Sequence, residues 1–356
     1  MTGWAARASR KNHTGEPREC AQPRLNFARW RAFAQHQSRY NQEVRRGEER
    51  FAEFGSHPSR RREGTNQRRP LEKPTPASQV YPTRAKFWEW PTILSLDAPL
   101  VAVLWQGLFA QVFGVALGWH HAALLAACVW LLYSADRLCD GLFGRLSRTR
   151  RHLFYTAYRR PIIALWLFVF AASVSAALLT LRPGELVGGL LVLAAVLFYF
   201  VRVHLLPYAS FELPKEVQVA FLFAAGVALF VVPQLAALSA LHLTLPLGLF
   251  SVLCLLNCAL IGHWEKELDA QPLEHSLLRY GALRSKLPQA ALGLTCCAAL
   301  LLFDREVAPL YGAISLSALL LFELSRAQLS PAALRVLGDA ALLTPAPLLL
   351  TMWLLA

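Results

Sequence analysis

The chain has 356 residues, of which 55% are hydrophobic and 17% charged, against about 25% charged in an average soluble domain. Its 36 Lys and Arg exceed its 23 Asp and Glu, giving +13, and the excess is lopsided. Residues 1–90 carry 19 basic and 9 acidic side chains, whereas the other 266 carry 17 and 14. A single soluble globular domain, a secreted disulfide scaffold and a wholly disordered chain are all excluded by these figures.

The first stretch, 1–89, reads as a basic N-terminal arm. Arg45-Arg46, Arg60-Arg61-Arg62 and Arg68-Arg69 punctuate it, and Pro70, Pro74, Pro76 and Pro82 follow. It has no continuous apolar stretch from which to build a core, so it is expected to be disordered. No apolar run of the kind found in a secretory signal occurs in it.

Residues 90–356 form the membrane domain. Apolar stretches near the length that crosses a bilayer core of about 30 Å recur along it. Nine spans are predicted, at about 98–117, 119–135, 161–181, 185–202, 215–236, 245–263, 287–303, 307–324 and 332–355. With the N-terminus inside, the loops and helix ends on that side hold 15 basic residues, and the outside loops hold two, Arg182 and Arg305. That asymmetry satisfies the positive-inside rule. The fold class is therefore all-α: a polytopic, multi-pass bundle of nine helices, N-terminus in and C-terminus out, placed in a bacterial cell membrane.

Seven cysteines are scattered without a CxxC pair, so no structural metal site or redox pair is indicated. The acidic residues are more telling, because carboxylates are costly in or near a membrane. Asp136-Arg137-Leu138-Cys139-Asp140 follows the second span, and Glu265-Lys266-Glu267-Leu268-Asp269 follows the sixth. In each, two acids lie four apart, on one helical face and one turn from each other. Like charges so placed repel, and a divalent cation between them reverses the sign. Two such pairs facing each other across a bundle suit Mg²⁺, which takes oxygen ligands and completes its shell with substrate phosphates. Asn257 lies two turns before Glu265, where it either lines the same cavity or makes an interhelical hydrogen bond. Asp339 is expected to pair with Arg335 at i, i+4.

The layout resembles the UbiA family of intramembrane prenyltransferases. Ala135-Asp136-Arg137-x-x-Asp140-Gly141 is similar to that family's first Asp-rich motif, and Glu265-x-Glu267-x-Asp269 to its second. Phe198-Tyr199-Phe200-Val201-Arg202, with Leu213-Pro214-Lys215, is similar to its aromatic-plus-basic segment. Leu132 stands where the family's first motif usually opens with Asn, and the tyrosine of the third segment is offset by one.

The resemblance implies transfer of an isoprenyl group from its diphosphate to a lipid-soluble acceptor, aromatic or a quinone precursor. It implies Mg²⁺ held by Asp136, Asp140, Glu265 and Asp269 as the catalytic set, with Arg137, Arg202, Lys215 and Lys266 on the diphosphate. Tyr133, Tyr199, Asn257 and Trp264 are the cavity candidates. Membrane lipid is the expected surrounding partner, and no nucleic acid is expected. Two alternatives stand beside this reading: a non-catalytic membrane protein of the same fold, and a small-molecule transporter.

Overall fold

The computed structural model describes residues 86–142, 150–205, 213–265, 276–277 and 285–355, all within the unit Thr75–Ala356. Apart from positions 86–89, the arm expected over 1–89 lies outside the described residues. Among those described, every regular element is helical. That is what lipid imposes, since a helix satisfies its own backbone hydrogen bonds where no water can.

The helices are α1 (Asp97–Val112), α2 (Trp119–Leu142), α3 (Arg150–Ala157), α4 (Arg159–Thr180), α5 (Pro183–Phe200) and α6 (Lys215–Ala228). They continue with α7 (Ala237–Glu265), α8 (Leu287–Leu300), α9 (Ala308–Arg326), α10 (Pro331–Ala340) and α11 (Pro345–Leu355). Seven segments are long and apolar enough to cross a membrane: Trp119–Asp140, Arg159–Thr180, Pro183–Val203, Lys215–Gln234, Ser239–Glu265, Ala308–Arg326 and Pro331–Leu354. An eighth candidate is a bent pair, in which the short leading segment Phe87–Ile93 meets α1 at 77°. Ser95, at φ 56°, makes the bend between them.

The expected count of nine full-length spans is not reproduced among the described residues. Leu287–Phe303, the predicted seventh span, is apolar but short. Pro288 opens it and the charged run Asp304-Arg305-Glu306 closes it, and at 1.5 Å per residue it covers less than the roughly 30 Å hydrocarbon core. Two boundaries also move. Helix α7 starts at Ala237 and runs through Pro246, where a start near 245 was expected; membrane helices tolerate proline when neighbouring helices re-satisfy the freed carbonyl. The last span breaks into α10 and α11 before Pro345, whose ring cannot donate a helical N–H. At the break, the Thr344 hydroxyl donates to the Ala313 carbonyl at 3.0 Å and lies 2.6 Å from the Ser317 hydroxyl.

Helix α7 is the hub, touching α6, α8, α9 and α10. Around it Trp105, Phe109, Phe250, Leu253, Leu260, Leu310 and Ile314 are fully buried. Lipid tails are as apolar as leucine, so association here depends on close packing rather than escape from water. Buried Ala220, Ala224, Ala291, Ala298, Ala313 and Ala318 supply the small contacts. Against α7, α10 is seated so tightly that a Cβ on Gly338 would lie 3.1 Å from Trp264 and 3.3 Å from Asn257 Oδ1. By contrast, α4 and α5 turn Leu165, Phe168, Leu178, Leu190, Leu191 and Leu197 outward, as lipid-facing helices do.

Candidate functional site

Helix α2 runs past the predicted end of its span to Leu142, so the first acidic motif is helical. Asp136 and Asp140 therefore share one face, a turn apart, as their spacing predicts. Glu265 is the last residue of α7. Between these two helix ends lies α3, an eight-residue helix that turns Arg151, His152 and Tyr155 inward and leaves Thr156 and Ala157 exposed. Tyr155 fastens α3 to the leading segment, 3.3 Å from the Ser95 hydroxyl, and Phe154 meets Trp90 edge-on at 6.1 Å.

Two adjacent side chains of α3 bridge the two motifs. Arg151 Nη2 donates to Glu265 Oε2 at 2.6 Å, and His152 Nε2 lies 3.2 Å from Asp140 Oδ2. All four groups are buried, with Asp140 only 2% and Glu265 only 8% exposed. Arg137 Nη1 reaches its neighbour Asp136 at 3.3 Å. In the sequence Arg151 is one of several basic residues around the first acidic pair, and His152 carries no signal of its own. Nothing local marks either one, because their partners are set by tertiary packing.

A second polar group continues the belt. The Arg335–Asp339 pair forms as expected, with Nε 3.1 Å from Oδ2. Asn257 Nδ2 donates to Asp339 Oδ1 at 3.2 Å, so Asn257 both bonds across helices and lines the cavity. The carboxyl groups of Asp97, opening α1, and Asp339 face each other. Arg335 also lies within electrostatic reach of Glu265, which joins this group to the motif carboxylates. Beneath it is a small cleft lined by Tyr133, Phe223, Cys254, Asn257, Cys258 and Asp339, with smaller apolar side chains.

The remaining predicted residues divide. Tyr199 lies within electrostatic reach of Asp136, Asp140 and Tyr133, while Phe198 is 62% exposed. The offset tyrosine is thus the one that faces the acids, just before a π-helical turn over Val201–Leu205, a distortion frequent at functional sites. Lys215 opens α6 within electrostatic reach of Cys258. Trp264 packs on Gly338 of α10. Arg202 is buried and gives Nη2 to the Leu213 carbonyl, just before α6, at 2.7 Å. Asp269 and Lys266 lie outside the described residues.

Burial, reinforced by repulsion from Arg137 and Arg335, lowers the Arg151 pKa to about 10 against the pull of Glu265 and Asp339. Burial, aided by Arg137 and Arg151, also holds His152 below its ordinary 6.5 despite the bond to Asp140. Its imidazole is therefore neutral at pH 7, and its Nε2–H tautomer donates to Asp140. A base held below its unfolded value destabilises the fold once the unfolded chain binds the extra proton. The anchoring of α3 should be at full strength above about pH 6.5 and weaken as the pH falls toward the folded value. Amide hydrogen exchange across α3, measured between pH 7.5 and 5.5 and corrected for intrinsic rates, should lose protection in that window. Unchanged protection would contradict a neutral buried His152.

Asp136, Asp140 and Glu265 offer the hard oxygen donors that Mg²⁺ prefers. Yet each already holds a basic neighbour, and among the described residues no three metal-ligating side chains converge. As they stand, the described residues do not make a magnesium centre. Comparison of the chain with known families, curated proteins and solved structures found no match.

Proposed function

We propose that the chain is an intramembrane prenyltransferase of the UbiA kind, built on that family's nine-helix plan. It moves an isoprenyl group from its diphosphate to an aromatic or quinone-precursor acceptor in the membrane. The observation that carries this reading is the meeting of the two acidic motifs on α3, through Asp140–His152 and Glu265–Arg151. Motifs separated by more than a hundred residues thereby share one polar belt at one end of the bundle.

The division of labour follows from the surroundings. The charged diphosphate lies in the belt, where Arg137 and its neighbours take up charge developing on the leaving oxygen. The tail lies along lipid-facing apolar helices. Tyr133 and Tyr199, at the inner edge of the acids, offer π faces to the allylic cation. Magnesium, which the resemblance implies as the companion of the diphosphate, enters this proposal as a dependence to be measured.

Membranes holding the full chain, given labelled geranyl, farnesyl and longer diphosphates with Mg²⁺ and a panel of quinone precursors, should form prenylated product. Asp136→Asn and Asp140→Asn should each cut the rate by about a hundredfold or more, and EDTA should abolish it. Absence of product with every diphosphate and acceptor would sink the proposal. The second reading, a non-catalytic protein of this fold, is favoured by one observation: basic side chains already occupy all three described motif carboxylates. Diphosphate binding without turnover would be its signature.

A further inference from the structure

Outside the two motifs, a second pair of carboxyl groups meets where such groups are costly. Asp97 opens α1 at the bend, Asp339 lies near the end of α10, and the two face each other. Asp97 Oδ1 accepts from the Ala98 N–H at 2.9 Å, and Asp339 Oδ1 accepts from Asn257 at 3.2 Å. Asp339 Oδ2 lies 3.1 Å from Arg335 Nε as an ion pair, yet neither it nor Asp97 Oδ2 receives a hydrogen bond, and both are buried. Asn257, only 7% exposed, holds a third buried acceptor without a donor, its Oδ1. The place is short of hydrogen, not of oxygen. Charge points the same way. Arg335 is paired with Asp339 and Arg151 with Glu265, so Asp97 has no ion pair of its own among the described residues. Tyr133 on α2 and Cys258 on α7 also face the pair within electrostatic reach.

Two carboxylates cannot bond each other, but one proton between them turns the clash into a hydrogen bond. We infer that Asp97 and Asp339 share a single proton in the resting protein and accept a second one from the acceptor ring during prenyl transfer. The second half rests on the proposed function. There, the allylic C–O bond breaks with its electron pair leaving on the diphosphate, and a π pair of the ring forms the new C–C bond. The C–H pair at that ring carbon then falls back into the ring as its proton leaves. Asp339 lines one cleft with Tyr133, beside which that reading sets the allylic cation and so the attacked ring. The pair takes the proton and returns one to water before the next turnover.

Infrared spectra of the full chain in membranes at neutral pH should show a protonated-carboxyl band that disappears in Asp97→Asn and in Asp339→Asn. An asparagine at either position gives a permanent N–H to the opposite carboxylate, so the fold should stand, and each variant serves if the other fails. In the product assay both should turn over about a hundredfold more slowly, with binding of inorganic pyrophosphate unchanged. The quinone precursor that is prenylated, deuterated on its ring, should react more slowly than the ordinary one in these variants, because loss of the ring hydrogen has become limiting. A merely structural pair would give no such isotope effect, and variants slowed without one would overturn the inference. A wild-type chain lacking the band, or variants as fast as it, would overturn it while leaving the prenyltransferase reading intact. A chain that shows the band yet prenylates nothing would sink that reading, and the pair's role as base with it.

Discussion

Arg151→Met should lower the unfolding free energy of the detergent-solubilised chain by about 3–5 kcal/mol, because it strands the Glu265 carboxylate inside the protein. The pair is short, 2.6 Å, and joins residues 114 positions apart, so it ties the ends of α3 and α7 together. The double variant Arg151→Met/Glu265→Leu should recover most of the loss, since removing both charges removes the desolvation penalty with the attraction. Denaturant unfolding of the two single variants and the double closes the cycle. A single variant that costs under about 1 kcal/mol would mean the pair behaves like an exposed one, and the two motifs would then not be held together through α3.

Trp105→Ala should be comparably damaging, at about 3–5 kcal/mol. The indole is 0% exposed, lies with its ring centre 4.4 Å from that of Phe250 at a tilt of 31° and donates Nε1–H to the Leu342 carbonyl at 2.9 Å. Its loss leaves a cavity between α1 and α7 and also frees the carbonyl at the break between α10 and α11. Trp105→Phe should keep most of the packing and lose the hydrogen bond, costing about 1–3 kcal/mol. Unfolding by denaturant ranks the two, and hydrogen exchange should loosen around Leu342–Thr344 in both. Equal stability for Ala and Phe would show that the bond, not the ring, dominates.

Much of this belt could be read from the order of residues, and the reason is locality. Asp136 and Asp140 share a helical face because spacing alone decides it, and the same holds for Arg335 and Asp339. The cost of carboxylates near lipid points to Glu265, and a polar side chain inside a span, two turns earlier, points to Asn257. What escaped was set by packing. Arg151 looked like one of many arginines satisfying a topology rule, and its choice of Glu265 depends on where an eight-residue helix is seated. Tyr199 could be told from Phe198 only when α5 took its rotation against α6. Proline was ambiguous for a similar reason. Pro246 is absorbed within a helix and Pro345 begins one, a difference made by neighbouring helices rather than by proline itself.

The bent leading segment has a consequence for depth. Trp88 and Trp90 sit partly exposed on it, and Trp119 is 83% exposed at the far end of α2. Indoles settle at the headgroup level on either side of a bilayer, and Trp119–Asp140, at 22 residues, spans about 33 Å. On the proposed reading, these rings are two waterlines that would set how far the bundle sinks. They would then hold the Asp136–Arg151–Glu265 belt at the boundary between oil and headgroups, where an amphiphile drifting within one leaflet could present its ionic end without carrying it through the hydrocarbon.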